Sequence, residues 1–512
     1  MMRTINSLNS SKASGPNSIP PYILSLINLD ISNILTKIIN LSFQTGIFPA
    51  SLKLVKVIPV YKNKGSNTSF NNYRPISLLS NIDKIFEKLV HSRVVSFLDR
   101  FNLIFLRQFG FRKKHSTSHT LISLTENIRK SLDAGWFSCG VFIDLQKAFD
   151  TVDHSILLEK LKHNGIRGIT NNWFKSYLSN RNQFVFVSGE KSETKTIKHG
   201  VPQGSVLGPL LFILYINDLQ SAIRNSNTFL FADDTCLLNS NSKIKCIKKQ
   251  LNYDLKMLYK WLCASKISLN VTKTEVVLFH HDNKPIDHEL RLKLNGKYLS
   301  LSESVKYLGI TINHNLSFSQ QLDSLSIKLR HANGALSKIR HVANKSVLCS
   351  VFNSLFMSHL SYGCQSWAQN INLNTSRIYK LQKSATRILT FSDFQAHSDP
   401  FFKELKILKI SQLVNLRNLV LVHEALNKSC PRDIINTFNL KYYNNSHITR
   451  GNTSRLLAKP TCRTLNFGLN SVTYQSISHW NEIQLRFKDT DLSLISKPKF
   501  YQLAQNFVVD KN

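Results

Sequence analysis

The run Phe231-Ala232-Asp233-Asp234 constrains the chain most, because two adjacent carboxylates interrupt otherwise apolar sequence. Asn227 to Leu230 precedes it and Thr235-Cys236-Leu237-Leu238 follows, so the pattern reads as strand, tight turn and second strand. A buried charge must be paired or must hold a metal. Asp144 offers a partner about ninety residues upstream, at the end of a second apolar run, Val141-Phe142-Ile143. Carboxylates on neighbouring strand ends can share divalent metal ions, the arrangement that two-metal phosphoryl transfer requires.

Charge narrows the choice of partner. Lys and Arg number 66 against 31 Asp and Glu, a formal net charge of +35. Such an excess argues for a polyanion, with nucleic acid first. An anionic membrane surface is the rival; the basic residues are spread along the whole chain and not gathered in one amphipathic helix, which disfavours it. The start, Met1-Met2-Arg3-Thr4, has no apolar run after it, and the longest apolar stretch, Val206 to Ile216, is too short to span a bilayer. A soluble protein without membrane association is expected. None of the eight cysteines forms a Cys-x-x-Cys pair, so they read as reduced core residues of an intracellular protein. His280-His281-Asp282 follows a strand-like run and precedes Asn-Lys-Pro, which reads as a polar loop and not as a metal cluster.

At 512 residues the expectation is about three domains or one multi-lobed enzyme. Residues 1–130 mix short helical and strand-like pieces around a polar loop, Asn63 to Ser69. The strongest strand signals are Cys139–Leu145, Phe184–Ser188, Thr228–Leu238 and Glu275–Phe279. Between them Ile244, Ile247, Leu251, Leu255, Leu258 and Leu262 recur at helical steps, which predicts a helix over Lys243–Leu262 and an α+β layer with helices on one sheet face. After about residue 315 helical periodicity dominates. Over Thr375–Leu389, Ile378, Leu381, Ala385 and Ile388 form one stripe, and Lys380, Lys383 and Arg387 form another. The basic stripe reads either as a solvated face or as a phosphate-tracking one. Beyond about residue 420 the chain is loop-rich, from Tyr442 to Arg455, and carries no identifiable chemistry. There is no Walker-type phosphate loop, no Gly-x-Ser-x-Gly elbow, and no acidic cluster after residue 390 that suggests a ribonuclease H.

The stretch from Val141 to His154, Val-Phe-Ile-Asp-Leu-Gln-Lys-Ala-Phe-Asp-Thr-Val-Asp-His, resembles motif A of reverse transcriptases of the non-LTR retrotransposon branch. Other blocks follow in the family's order. Lys12 to Pro20 looks like the first, Asn72-Tyr73-Arg74-Pro75-Ile76-Ser77-Leu78-Leu79 like the second, and Gln108-Phe109-Gly110-Phe111-Arg112 stands ahead of motif A. Gly200 to Pro209 resembles motif B, Phe231-Ala232-Asp233-Asp234 motif C, Leu269 to Thr274 the next block, and Tyr307-Leu308-Gly309-Ile310 the one after. Tyr362-Gly363 with Trp367 is similar to the helical region after the palm in jockey-like elements. The resemblance covers most of residues 12–390.

The resemblance implies an α+β right-hand polymerase of fingers, palm and thumb, with a helical C-terminal extension. Residues 1–130 would be N-terminally truncated fingers with part of the palm, 131–290 the palm with its catalytic carboxylates, 291–420 the motif E hairpin and helical thumb, and 421–512 an extension of unknown role. The implied chemistry is DNA synthesis on template RNA, from a primer or target DNA and deoxynucleoside triphosphates, with two Mg²⁺ ions or Mn²⁺ in their place. Asp144 and Asp233 would be bridging ligands and Asp234 a weaker one. Phe149 reads as a steric gate against the ribose 2′-hydroxyl or as a core phenylalanine. Gln203 and Gly204 would line the nascent base-pair pocket, and Arg74 and Lys62 would hold the triphosphate. Lys273 would neutralise pyrophosphate or pair with Glu275. Asp150 reads as the N-cap of a helix through Lys162, with Asp153 in its first turn.

Relatives of this type usually carry an endonuclease ahead of the polymerase, whereas here the first block stands almost at Met1. The expectation is a piece of a longer reading frame, or a chain that takes primers made elsewhere. A catalytically inactive nucleic-acid-binding remnant is the alternative function. An intron-maturase-like enzyme is a third, disfavoured by the Asn72–Leu78 wording and Trp367. The expected location is intracellular, as a cytoplasmic ribonucleoprotein and in the nucleus.

Overall fold

The computed structural model describes residues 1–510 except 12, 18, 287–289, 370, 439–455 and 489. Lys12 and Ser18 of the first block and the Tyr442–Arg455 loop lie outside the described residues. The fold is mixed helix and sheet, and the chain divides into two compact units. Among the described residues no helix is long and apolar enough to cross a membrane.

The first unit comprises Met1–Phe111, Asp144–Arg224 and Asp254–Val271. Its Leu54–Tyr61 strand runs antiparallel to Tyr73–Leu78 and parallel to Arg181–Val187, which the short strands Glu190–Lys191 and Lys195–Ile197 extend. The most apolar run of the sequence becomes the Leu207–Tyr215 helix, buried from Leu210 through Tyr215; a helix that is apolar all round belongs in a core.

Beside it lies a buried polar cluster. Arg181 donates to Asp83 at 3.0 Å, Tyr177 donates its hydroxyl proton to Glu87, and the Val206 N–H donates to Glu87 at 2.6 Å. One guanidinium thus faces two carboxylates away from water. Burial, reinforced by repulsion from Asp83, pushes Glu87 up to about 8, and burial against the pull of Arg181 raises Asp83 to about 6. The folded state keeps a Glu87 proton that the unfolded chain releases above its ordinary 4.5, so stability falls as pH rises from there to about 8. The thermal midpoint should be lower at about pH 8.5 than at about pH 6, and Glu87→Gln should flatten the difference. An equal drop in the variant would locate the pH dependence elsewhere.

The second unit comprises Arg112–Ile143, Asn225–Tyr253 and Thr272–Asn512. Its four-stranded antiparallel sheet has the order Asn227–Phe231, Asp234–Asn241, Phe137–Ile143, Glu275–Phe279. The Phe137–Ile143 strand is buried along its whole length, as expected of a central strand covered on both faces. The Thr117–Asp133 helix packs against this sheet. The predicted helix over Lys243–Leu262 is observed as Ile244–Ala264; Ile247 and Leu251 are fully buried in this unit, and Leu255 and Leu258, beyond Tyr253, are fully buried in the first.

The segment after residue 455 is part of this unit. Glu126 of the Thr117–Asp133 helix accepts the N–H groups of Val472 at 2.8 Å and Thr473 at 2.9 Å. A carboxylate thereby satisfies the exposed donors at the start of the Val472–Arg486 helix. Asp133 accepts the N–H and hydroxyl of Thr464, and buried Arg129 donates to the Asn466 carbonyl at 2.9 Å. The same unit joins two distant sequence blocks. Leu308 and Gly309 take φ of 46° and 81° in the turn between the Ser304–Tyr307 and Ile310–Asn313 strands, and the Tyr362 hydroxyl donates to the Leu308 carbonyl at 2.7 Å. A Cβ on Gly363 would lie 3.2 Å from Ile310, and Trp367 is buried with its indole N–H on the Tyr362 carbonyl.

Candidate active site

Strand register sets the two acids of the hairpin. Phe231 pairs with Asp234, so Ala232 and Asp233 form a two-residue turn. Ala232 sits at φ 55°, where a side chain costs roughly 1–2 kcal/mol and glycine would be unstrained. Asp233 and Asp234 are both exposed at this tip. Asp233 occupies the turn and Asp234 the first position of the following strand.

Ile143 pairs with Thr235 in the same sheet, and Asp144 is the next residue of the chain. Asp144 is half-buried, and its Oδ2 accepts from Asn270 Nδ2 at 2.9 Å. The backbone supports this contact: the Asn270 N–H reaches the Asp144 carbonyl, and the Gln146 N–H reaches Ser268. Asn270 belongs to a block picked out in the sequence, yet its part in orienting Asp144 had no signal there, because the two lie 126 residues apart.

Further site residues lie, like Asp144 and Asn270, in the first unit. Gln203 donates its side-chain amide to Asp150 at 2.7 Å, and its carbonyl accepts the Ser77 N–H at 2.7 Å. Gly204 has φ 118°, and a Cβ there would lie 2.7 Å from the Ser77 carbonyl oxygen; its glycine is required by this strand. Phe149 is half-buried, stacked on Phe212 at 4.6 Å and edge-on to Phe111 at 6.1 Å. One ring face thus packs as a core residue would, while part of the side chain stays open. Arg74 and Lys62 are exposed, Arg74 on the Tyr73–Leu78 strand opposite Val60 and Lys62 just after the Leu54–Tyr61 strand, where it donates to the Asn71 carbonyl at 2.8 Å. In the second unit, Lys273 is exposed at the end of a short 3₁₀ turn, and the described ion pairs include none between it and Glu275.

The structure corrects the reading of the motif A acids. The helix is His154–His163 and its N-cap is Asp153, whose Oδ1 accepts the N–H groups of Ser155 at 2.9 Å and Ile156 at 3.1 Å. Burial alone would raise Asp153, but Lys266 at 2.7 Å and the helix N–H groups hold it well below the usual carboxylate range. Asp150 stands before the turn that leads into the helix and instead holds Gln203. Burial raises its pKa against the opposing pull of Gln203, Lys147 and Lys62. Asp150 is therefore a positioning residue that sequence reasoning assigned to a cap.

The family described as reverse transcriptase (RNA-dependent DNA polymerase) matches residues 61–312, the span that carries these hairpins, acids and glycines. Residues 61–312 are a reverse transcriptase domain. The chain is 28% identical over 412 residues to the RNA-directed DNA polymerase from mobile element jockey of Drosophila melanogaster, which covers 78% of this chain and 44% of that protein. It is 28% identical over 435 residues to a probable RNA-directed DNA polymerase from transposon BS of the same species, covering 81% and 47%. The chain thus spans less than half the length of these relatives. Among solved structures, telomerase from Candida albicans in complex with a TWJ fragment of telomeric RNA aligns at a TM-score of 0.37 and 13% identity, over 76% of this chain and 69% of that one.

A reverse transcriptase domain implies dependence on a divalent metal in general. Among the described residues no group of three or more His, Cys, Asp or Glu side chains is arranged to hold a metal ion. The donors do fit magnesium, which favours hard carboxylate oxygens, binds through one or two of them, and takes its remaining ligands from water and phosphates. The His280–Asp282 segment is a loop, as read, but His280 is buried and stacked on His314 at 4.8 Å. All eight cysteines are free; Cys139, Cys236, Cys364 and Cys430 are buried, and Cys263 is exposed.

Proposed function

We propose that this chain is the polymerase portion of a jockey-like non-LTR retrotransposon protein, adding deoxynucleotides to a DNA primer 3′-hydroxyl on an RNA template. The observation that carries the proposal is the pair of acids at the Phe231–Asp234 turn inside the matched reverse transcriptase domain. In this reading residues 131–290 act as palm, 1–130 as fingers with part of the palm, 291–420 as hairpin and thumb, and 421–512 as an extension of which Thr464 to Thr473 contact the Thr117–Asp133 helix.

Asp144 and Asp233 would hold Mg²⁺, with Asp234 contributing less. Bound there, the metal lowers the pKa of the primer hydroxyl and stabilises charge on the triphosphate. Asn270 keeps the Asp144 carboxylate oriented. Arg74 and Lys62 bind triphosphate oxygens, for which guanidinium and ammonium donors are suited. Gln203, fixed by Asp150, bounds the base-pair pocket beside Gly204, and Lys273 neutralises the departing pyrophosphate. Template RNA, primer DNA and deoxynucleoside triphosphates are the partners, with the ribonucleoprotein and the nucleus as places of action.

The test is extension of a DNA primer on an RNA template with Mg²⁺ and deoxynucleotides. A folded protein that binds RNA and never extends would leave only the inactive-remnant reading. Phe149 tests the pocket separately. Shortening it to valine opens space at the sugar 2′ position, so ribonucleotide incorporation should rise about tenfold or more, as expected when a steric exclusion is removed. Unchanged sugar selectivity would mean that packing on Phe212 is the whole role of the ring.

A further inference from the structure

We propose that the turn at the end of the Ile371–Leu389 helix, Thr390–Ser398, is a stacking platform for single-stranded RNA. It lies outside residues 61–312, and none of the polymerase roles above uses it. Phe394 is 82% exposed and Phe391 48% exposed. A single exposed apolar side chain is ordinary, but here two rings project from one turn that is fixed internally. The Ser392 N–H donates to the Arg387 carbonyl, Arg387 Nε donates to the Ala396 carbonyl at 2.7 Å, and the Ala396 N–H donates to the Asp393 carbonyl. Phe391 itself takes φ 58°. A turn whose backbone is already fixed loses little backbone entropy when a flat partner covers its rings.

The surroundings favour a polyanionic partner. The Arg340 guanidinium lies 5.3 Å from the centroid of the Phe391 ring. Arg340 follows the Ser319–Ile339 helix, which is tied alongside the Ile371–Leu389 helix by Arg377 to Asp323 and by Asn333 to the Leu381 carbonyl. Residues 324–409 carry twelve Lys and Arg against three Asp and Glu. Part of this charge serves the helix ends, as Arg387 does, because cations suit a helix C-terminus. That role does not call for exposed phenylalanines. Aromatic rings beside cationic side chains are what unpaired bases and their phosphates bind, without sequence preference. A duplex hides its base faces, so the commitment is to single strands. The RNA identity of the ligand rests on the polymerase reading.

The experiment uses the full chain and a fluorescent single-stranded RNA of about twelve nucleotides, a length within the site sizes of single-strand binders. Phe391→Ala/Phe394→Ala should weaken binding by at least about 5- to 150-fold, the range for one lost base–aromatic stack, and by more where both rings carry a base. Phe394→Trp, with Phe391 native, should keep most of the affinity that the alanine pair loses. Affinity for blunt duplex RNA should not change, and thermal midpoints should match because the rings are exposed. Single-strand affinity in the double variant within about twofold of the unmutated value would overturn the platform. So would equal losses for duplex and single strand. Primer extension on a short template is measured in parallel. Extension retained with unchanged binding removes only the platform, whereas an unmutated protein that neither binds nor extends removes the polymerase reading as well.

Discussion

Asp233→Ala is expected to abolish primer extension while leaving RNA affinity nearly unchanged. A carboxylate that binds a catalytic metal supports several kcal/mol of transition-state charge stabilisation, and each 1.4 kcal/mol is about tenfold in rate. A loss of roughly 10³-fold or more follows. The substitution sits at an exposed turn, so the hairpin should survive it. RNA is held by cationic surface, and removing an acid does not weaken that attraction. Asp234→Ala should cost less, since this residue stands on the strand and not in the turn and contributes less to the proposed metal site. Single-turnover extension with saturating RNA separates the two variants. An Asp233→Ala protein that extends at the native rate would remove this residue from the metal site, and equal losses for both would remove the asymmetry.

Arg181→Met should be the most destabilising single change in the first unit. Arg181 and Asp83 are both buried, 3.0 Å apart, and Glu87 shares the same dry space. Removing the guanidinium hydrogen-bonded to Asp83 leaves a buried carboxylate without its ion-pair partner, which costs about 3–5 kcal/mol. Arg181→Met combined with Asp83→Asn should recover much of the loss, because an uncharged pair carries no such penalty. Denaturant unfolding of the single and double variants gives the coupling directly. A single variant within about 1 kcal/mol of the native protein would show that water or a shifted proton compensates Asp83.

Local pattern made part of the fold legible. The strand pattern gives Glu275–Phe279 its observed bounds, and the Phe231–Asp234 turn is visible because polar residues interrupt an apolar run. The Ile244–Ala264 helix followed from apolar steps of three and four. The cap was misassigned because Asp150 and Asp153 are equally good capping residues in sequence, and only the backbone path shows which reaches the free N–H groups. The C-terminal segment carried no readable chemistry, yet it supplies the donors that Glu126 and Asp133 satisfy.

By itself the sequence determined the residue types and local conformations of the site: a two-residue acidic turn, a carboxylate at the end of a buried strand, and an overall charge suited to nucleic acid. Those properties depend on neighbours a few positions away and on composition. Only the tertiary structure decided which groups meet. It set Asn270 against Asp144, Gln203 against Asp150, Gly204 against the Ser77 carbonyl, and the exposed Phe391 ring beside Arg340. Such contacts join residues far apart in the chain and leave no periodic trace, because the free energy that selects them comes from packing, desolvation and hydrogen bonding in the assembled fold.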